Sequence, residues 1–401
     1  MEPDGMQDDS MKRPPLECWF ERTFGDDAPT HLGSGWFSGT VSVFLGACGL
    51  GAVAVLHFPE WLSSEQFRAA YPMDLMRALV ELIIGLAFLF GCLNLLLRKK
   101  KTLGLTGLAL AGLATVLGGA QVQIDAQFDK PFYLGFDWFL LNLFFLALVF
   151  VPLERLFPRL REQGVFRFGW TTDGVHFLVS HVAVQVLTFL TLLPATVVAA
   201  YLVSPALRDA VAGQPIWLQV LELMLIADLV QYWMHRAFHR IPWLWPFHAV
   251  HHSSRALDWL AGSRLHVVDV LVTRSIILVP IFLLGFTQSA LYLWLVIVAF
   301  HAIFNHVNLK FRFRWIEPFL VTPRFHYWHH AVAPVDKNFA VHFPWIDRLF
   351  GTHHMPGGAW PEALGIEGHP VPEGFFGQLV YPFARGPRRR EDAKTSRTTA
   401  Y

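Results

Sequence analysis

Apolar residues run along this chain in long, nearly unbroken stretches. The first reaches from Trp36 to His57, the second from about Met76 to Leu97, the third from Leu103 to Gln121 and the fourth from Phe132 to Leu153. Each is close to the ~20 residues an α-helix needs to cross about 30 Å of hydrocarbon, so each is predicted to span a membrane. A fifth stretch covers Gly174–Val203 and a sixth Ile216–Met234. Apolar sequence then resumes from Val267 to Phe304 with an interruption at Gly285–Gln288, which predicts a helical hairpin or a re-entrant pair. The third stretch carries Gly104, Gly107, Gly112, Gly118 and Gly119, the small residues that let membrane helices pack closely. A phosphate-cradling loop is the weaker reading there, because no strand precedes it. Residues 1–35 are polar, contain Pro14 and Pro15 and lack a signal-like apolar run, so they read as a loosely ordered cytosolic lead.

Positive charge sets the expected topology. Arg98–Lys101 lie between the second and third stretches and Arg155, Arg159, Arg161 and Arg167 between the fourth and fifth, which predicts that both loops are cytoplasmic. Counting crossings from there puts the N-terminus, residues 235–266 and everything after about Asn305 on the same side. The loops assigned to the opposite side, Glu60–Arg68, Asp125–Lys130 and Arg208–Gln214, hold few cations. The basic run Arg385–Arg390 reads as a solvated cytoplasmic tail. The fold class expected is therefore all-α, a polytopic helical bundle in a membrane with a cytosolic histidine-rich helical cap.

Composition supports this picture and narrows the chemistry. Of 401 residues, 54% are hydrophobic and 16% charged, against roughly 25% charged in soluble domains. Mean hydropathy is +0.39. A net charge of +1 offers no field for nucleic acid. Three scattered cysteines, Cys18, Cys48 and Cys92, exclude a disulfide framework or a thiolate metal site, so any metal must be held by nitrogen or oxygen. Histidine is the remaining anomaly: of 19, 11 fall between His235 and His330.

Those histidines are ordered. His235 and His239 are four apart on a continuing helix and share a face. His248, His251 and His252 have offsets of three and four, and His326, His329 and His330 repeat them. Eight imidazoles exceed the four ligands of a structural zinc and suggest two metal ions. Imidazole suits iron, zinc, copper or nickel alike, and with no His-Glu-x-x-His motif peptide hydrolysis has no support. His306, in Phe304-Asn-His-Val-Asn308, is a candidate ninth ligand. His266 and His301 read as ligands, proton relays or hydrogen-bonded core residues. Asp228, seven residues before His235 in an otherwise apolar stretch, is a functional candidate. It is expected to accept the second ring N–H of a ligating histidine, or else to pair with a neighbouring Arg. Asn338, Trp345 and Asp347 either orient the last cluster or seal a turn. Trp233, Trp243, Trp245 and Trp259 fit an interfacial aromatic belt.

The runs Asp228-Leu-Val-Gln-Tyr-Trp-Met-His235-Arg-Ala-Phe-His239, His248-Ala-Val-His251-His252-Ser-Ser and Thr322-Pro-Arg-Phe-His326-Tyr-Trp-His329-His330, followed by Trp345-Ile-Asp-Arg-Leu-Phe-Gly-Thr352, resemble the fatty acid hydroxylase / sterol desaturase superfamily of integral membrane proteins. The likeness covers about residues 228–352. Thr-Pro before the third box and the sequence around His306 look most like the alkylglycerol monooxygenase branch and its bacterial relatives. The resemblance implies two non-haem irons on His235, His239, His248, His251, His252, His326, His329 and His330, joined by His306. It also implies use of O2, attack on an unactivated C–H bond of a sterol, fatty acyl, sphingoid or ether lipid, and a catalytic domain over residues 171–355. Residues 36–170 would then be N-terminal membrane helices and 356–401 a tail. A fused haem-type domain with a His-Pro-Gly-Gly signature is not found, and Met355-Pro-Gly-Gly358 only echoes it, so a separate electron-transfer partner is expected. Hydroxylation is preferred over desaturation. A histidine-rich metal transporter and an inactive scaffold are the readings from other classes. The transporter would place ligands near the midplane of several spans, which these clusters do not.

Overall fold

The computed structural model describes residues 14–24, 35–64, 68–69, 71–124 and 133–384. Most of the polar lead, the loop 125–130 and the basic run 385–390 lie outside the described residues. Among the described residues the fold is helical with no β-strand, and pairing is limited to isolated bridges such as Pro158 with Leu309 and Ala331 with Leu364. The chain divides into two compact units, Met1–Phe145 and Leu146–Tyr401.

The first unit contains α1 (Pro15–Phe24), α2 (Trp36–His57), the single turn α3 (Pro59–Leu62), α4 (Met73–Leu97), α5 (Thr102–Val116) and the first half of α6 (Phe136–Leu156). Small residues let α2, α4 and α5 meet at backbone distance. A Cβ built on Gly107 would lie 2.0 Å from the Ser42 hydroxyl, so only glycine fits there. Ser42 in turn donates to the Ala87 carbonyl, and Asn94 accepts from the Gly104 amide while donating to the Gly35 carbonyl. These bonds satisfy polar groups that hydrocarbon cannot.

The second unit continues with α7 (Trp170–Val186), α8 (Thr188–Leu202), α9 (Pro205–Ala212), α10 (Ile216–Arg240), α11 (Trp245–His252), α12 (Val267–Leu284), α13 (Gln288–Phe304), α14 (Pro323–His329), α15 (Pro344–Leu349) and α16 (Phe375–Ala384). Buried Val220, Leu223 and Ala227 of α10 pack with Ile281 of α12 and with Ala290 and Trp294 of α13. The hairpin turns at Gly285, whose φ of +72° ends α12 in the left-handed conformation glycine favours.

Among the described residues six helices are long and apolar enough to cross a membrane: Trp36–His57, Met73–Leu97, Thr102–Gln121, Phe136–Leu156, Ile216–Arg240 and Val267–Leu284. We read the chain as a multi-pass membrane protein. The predicted fifth span takes a different form: Gly174–Val203 is two helices broken at Leu187, and the second meets the length and hydropathy of a span only together with α9, from which it is bent by 118°. The first half of that stretch is fastened by polar groups. Asp173 pairs with Arg167 and Arg264, and His176 bonds Gln378 and the Leu265 carbonyl. Only α8 retains a purely lipid-like character, and at 15 residues it is short for a span.

Candidate metal centre

At 25 residues α10 is roughly 37 Å long, beyond the hydrocarbon thickness. Its last turns, with His235 and His239, therefore project into a layer built by the short helices α11 and α14 and their loops. Prolines at the start of α11 and α14 fit the first turn of a helix, where no amide bond is lost. All nine candidate histidines meet in this layer as two groups. His235, His239, His248, His252 and His329 form one; His251, His306, His326 and His330 form the other. Within each group the candidate ligand atoms lie within 4.8 Å of one another.

Helix geometry explains the partition. Residues four apart lie about 40° from one another around a helix axis, whereas residues three apart lie about 60° off in the opposite sense. The pairs 235/239, 248/252 and 326/330 accordingly stay together, while His251 and His329 cross to the other group. Each of α11 and α14 thus contributes to both.

The ring nitrogens indicate what the groups can hold. Nδ1 of His235 donates to the Phe339 carbonyl at 2.8 Å, that of His329 to Lys337 at 2.8 Å, that of His306 to Ala302 at 2.8 Å and that of His251 to Arg264 at 3.1 Å. A carbonyl can only accept, so these rings carry their proton on Nδ1 and turn an Nε2 lone pair inward. The Nε2 atoms converge: 2.9 Å between His235 and His248, 3.3 Å between His251 and His306, 3.0 Å between His306 and His326, and 3.1 Å between His326 and His330. Nε2 of His239, His252 and His329 is buried without a hydrogen-bond partner. Burial, reinforced by the neighbouring imidazoles, holds His251, His252, His326 and His330 well below the usual histidine range; burial also takes His306 down to about 4 and His329 down to about 3. Neutral, buried nitrogens facing one another are the donor set of a cation, and two groups of five and four suit two ions.

Asp228 departs from its expected role. Its carboxylate accepts the backbone amides of Val341 (2.7 Å), His342 (3.0 Å) and Phe343 (2.6 Å), and not a histidine ring or an arginine. Arg236 instead donates to the Tyr232 hydroxyl. Asp347 works alongside Asp228, accepting the amides of Phe339 and Ala340 and the Thr352 hydroxyl. Two carboxylates therefore clamp one strap, residues 337–343, whose Lys337 and Phe339 carbonyls orient His329 and His235. Asn338 pins the start of the strap through the Phe325 and His354 carbonyls and the His354 amide.

The carboxylate against a histidine is Asp269, 2.7 Å from Nδ1 of His248, with Asp336 at 3.5 Å from Nδ1 of His239. Sequence reasoning missed Asp269; its only signal was an acid in the first turn of an apolar helix. His266 caps α12 and His301 bonds His342 and the Val321 carbonyl, so neither belongs to the two groups. Trp233 and Trp243 are exposed as a belt requires, but Trp259 is buried and Trp245 packs on His239 and His252.

Residues 220–352 match the family model described as fatty acid hydroxylase. The matched stretch is similar to a fatty acid hydroxylase domain and contains all nine histidines and the whole strap. An ornithine lipid hydroxylase of Rhizobium tropici is 34% identical over 44% of the chain and 53% of its own length. A very-long-chain aldehyde decarbonylase of Oryza sativa subsp. japonica is 30% identical over 37% of the chain and 52% of its own length. A methylsterol monooxygenase of Arabidopsis thaliana is 28% identical over 37% and 50% respectively. The chain spans about half the length of these relatives. No solved structure matches.

Proposed function

We propose that the protein is a membrane-bound non-haem di-iron oxygenase that hydroxylates an unactivated C–H bond of a lipid, taking O2 and two electrons and two protons from a separate donor and releasing water. The observation that carries this reading is the convergence of nine buried imidazoles into groups of five and four within the stretch similar to a fatty acid hydroxylase domain. Two irons, when bound, supply the redox capacity that O2 cleavage and C–H oxidation demand. The chain's own contribution is to hold nine imidazole nitrogens at fixed angles, through the carbonyls of Phe339, Lys337, Ala302 and Arg264 and the carboxylate of Asp269, and to keep that layer closed to bulk water. The named activities of the relatives concern ornithine lipid, methylsterol and very-long-chain aldehyde, which share a long apolar body, and a lipid is the substrate class adopted here.

The layer is placed on the cytoplasmic side. Supporting this, the arginine-rich segment after α6 is bonded into it: the Arg159 amide donates to the Asn308 carbonyl, the Leu160 amide to the Asn308 side chain, and Arg167 pairs with Asp258. Comparative lipid analysis of cells expressing wild type, His251→Ala and His330→Ala, with iron content of each purified protein, tests the proposal. Wild type should contain iron and yield a lipid heavier by one oxygen, and both variants should lose the product. A product lighter by two hydrogens would replace hydroxylation by desaturation, and an active protein free of iron would sink the reading.

A further inference from the structure

The first unit contains a cavity that the chemistry above does not use. It lies between α2, α4 and the first half of α6 and is lined almost wholly by apolar side chains away from its polar end. Its walls sort by depth. Cys48, Ala52, Val80, Ile83, Leu141 and Phe144 make an apolar shaft. The polar lining residues, Arg68, Tyr71, Arg77 and Asp137, all fall where α2 ends and α4 and α6 begin, the end away from the Arg98–Lys101 turn. From Leu56 back to Cys48 the shaft runs roughly 12 Å along α2, enough for the greater part of an acyl chain.

The mouth carries a charge imbalance. Asp137 is buried, and its carboxylate accepts from Ser63 and Tyr71 and faces Arg68. Arg77 is held by the carbonyls of Ala120 and Val122, neutral acceptors that fix its position. Among the described residues, the charged groups lining the cavity are two cations, Arg68 and Arg77, and one anion, Asp137. A guanidinium fixed by carbonyls at the rim of an apolar shaft suits an anionic head on an apolar tail.

We propose that this cavity binds a single-chain anionic amphiphile, its acyl tail in the shaft and its carboxylate or phosphate head at Arg68 and Arg77. The site is separate from the histidine groups and does not rest on the oxygenase reading. The test is photo-crosslinking of the full chain, purified in dodecyl maltoside, with a diazirine-bearing palmitate and mass-spectrometric mapping of the adducts. Adducts should fall on residues 48–56, 73–83 and 137–144. Palmitate and monoacylglycerol phosphate should both displace the probe, the stronger of the two naming the head group, and hexadecanol should compete about tenfold less well, the loss of one charge-assisted contact. The double variant Arg68→Gln/Arg77→Gln should erase the preference for anions over hexadecanol. Ala52→Trp should remove the adducts while leaving the thermal transition of the protein unchanged. Wild-type adducts scattered over outward positions such as Leu82, Leu89 and Leu96, or hexadecanol competing as well as palmitate, would overturn the proposal without reliance on any variant folding.

Discussion

A neutral imidazole has one proton, and whatever accepts it decides which nitrogen is left over. At His235, His251, His306 and His329 a backbone carbonyl makes that choice, whereas at His248 the acceptor is the carboxylate of Asp269. Carboxylate backing raises ligand basicity, so Asp269→Asn should weaken metal binding by roughly 10- to 100-fold. Chelator competition on the purified protein measures this; an unchanged chelator midpoint would remove Asp269 from any role at the centre. Asp228 belongs to a different class of effect. Replacing it by Ala leaves one buried and two part-buried amides without an acceptor, a loss of about 3 kcal/mol. The thermal transition of Asp228→Ala should fall accordingly, and His235 should loosen with the strap. His342, a member of neither group, offers a pH signature. Burial, with the His301 charge beside it, takes His342 down to about 3, against roughly 6.5 when unfolded. The unfolded chain therefore takes up this proton first, and stability falls as pH drops from about 6.5 toward 3. His342→Gln should flatten that slope by one proton, about 1.4 kcal/mol per pH unit. Thermal transitions of both proteins across this window decide the matter.

Helices carry the next level of constraint. In the first unit α2 and α5 touch where Gly107 faces Ser42, and Gly107→Val should separate them and lower the thermal transition; an unaffected transition would mean the contact is loose. Most of the helices were legible in the chain because hydropathy averages over about 20 residues and these helices are apolar throughout. The segment 174–203 misled for the same reason: the average absorbs His176 and His181, and whether such residues fasten a helix in place depends on partners far away, Gln378 and Leu265 for His176. The pairing of ligands was half legible. Spacing keeps His248 with His252 and His326 with His330, but which way His251 and His329 turn depends on how α11 faces α14, and no local pattern encodes that. The backbone carbonyls that orient the rings have no side-chain identity and leave no trace in sequence. Asp228 was visible as an anomaly, yet its partners lie more than 110 positions onward.

The whole molecule joins two compact units, one holding the histidine layer and the other an apolar cavity with a cationic rim. Nine buried nitrogens turned inward favour the folded state most when a cation accepts their lone pairs. Removing metal with a chelator should therefore lower the thermal transition, and added ferrous ion should restore it by an amount that grows with concentration. A transition indifferent to ferrous ion would mean that the histidine groups hold none.

The crossing of His251 and His329 has a consequence for how such a centre fills. If the centre takes two irons as proposed, the first ion to arrive would set the facing of α11 and α14, which each serve both groups, and thereby prepare the remaining nitrogens for the second. Filling would then be cooperative: under limiting iron, native mass spectrometry should find empty and doubly loaded protein in excess of the singly loaded form. A cell short of iron would hold fewer complete centres, with few half-built ones among them.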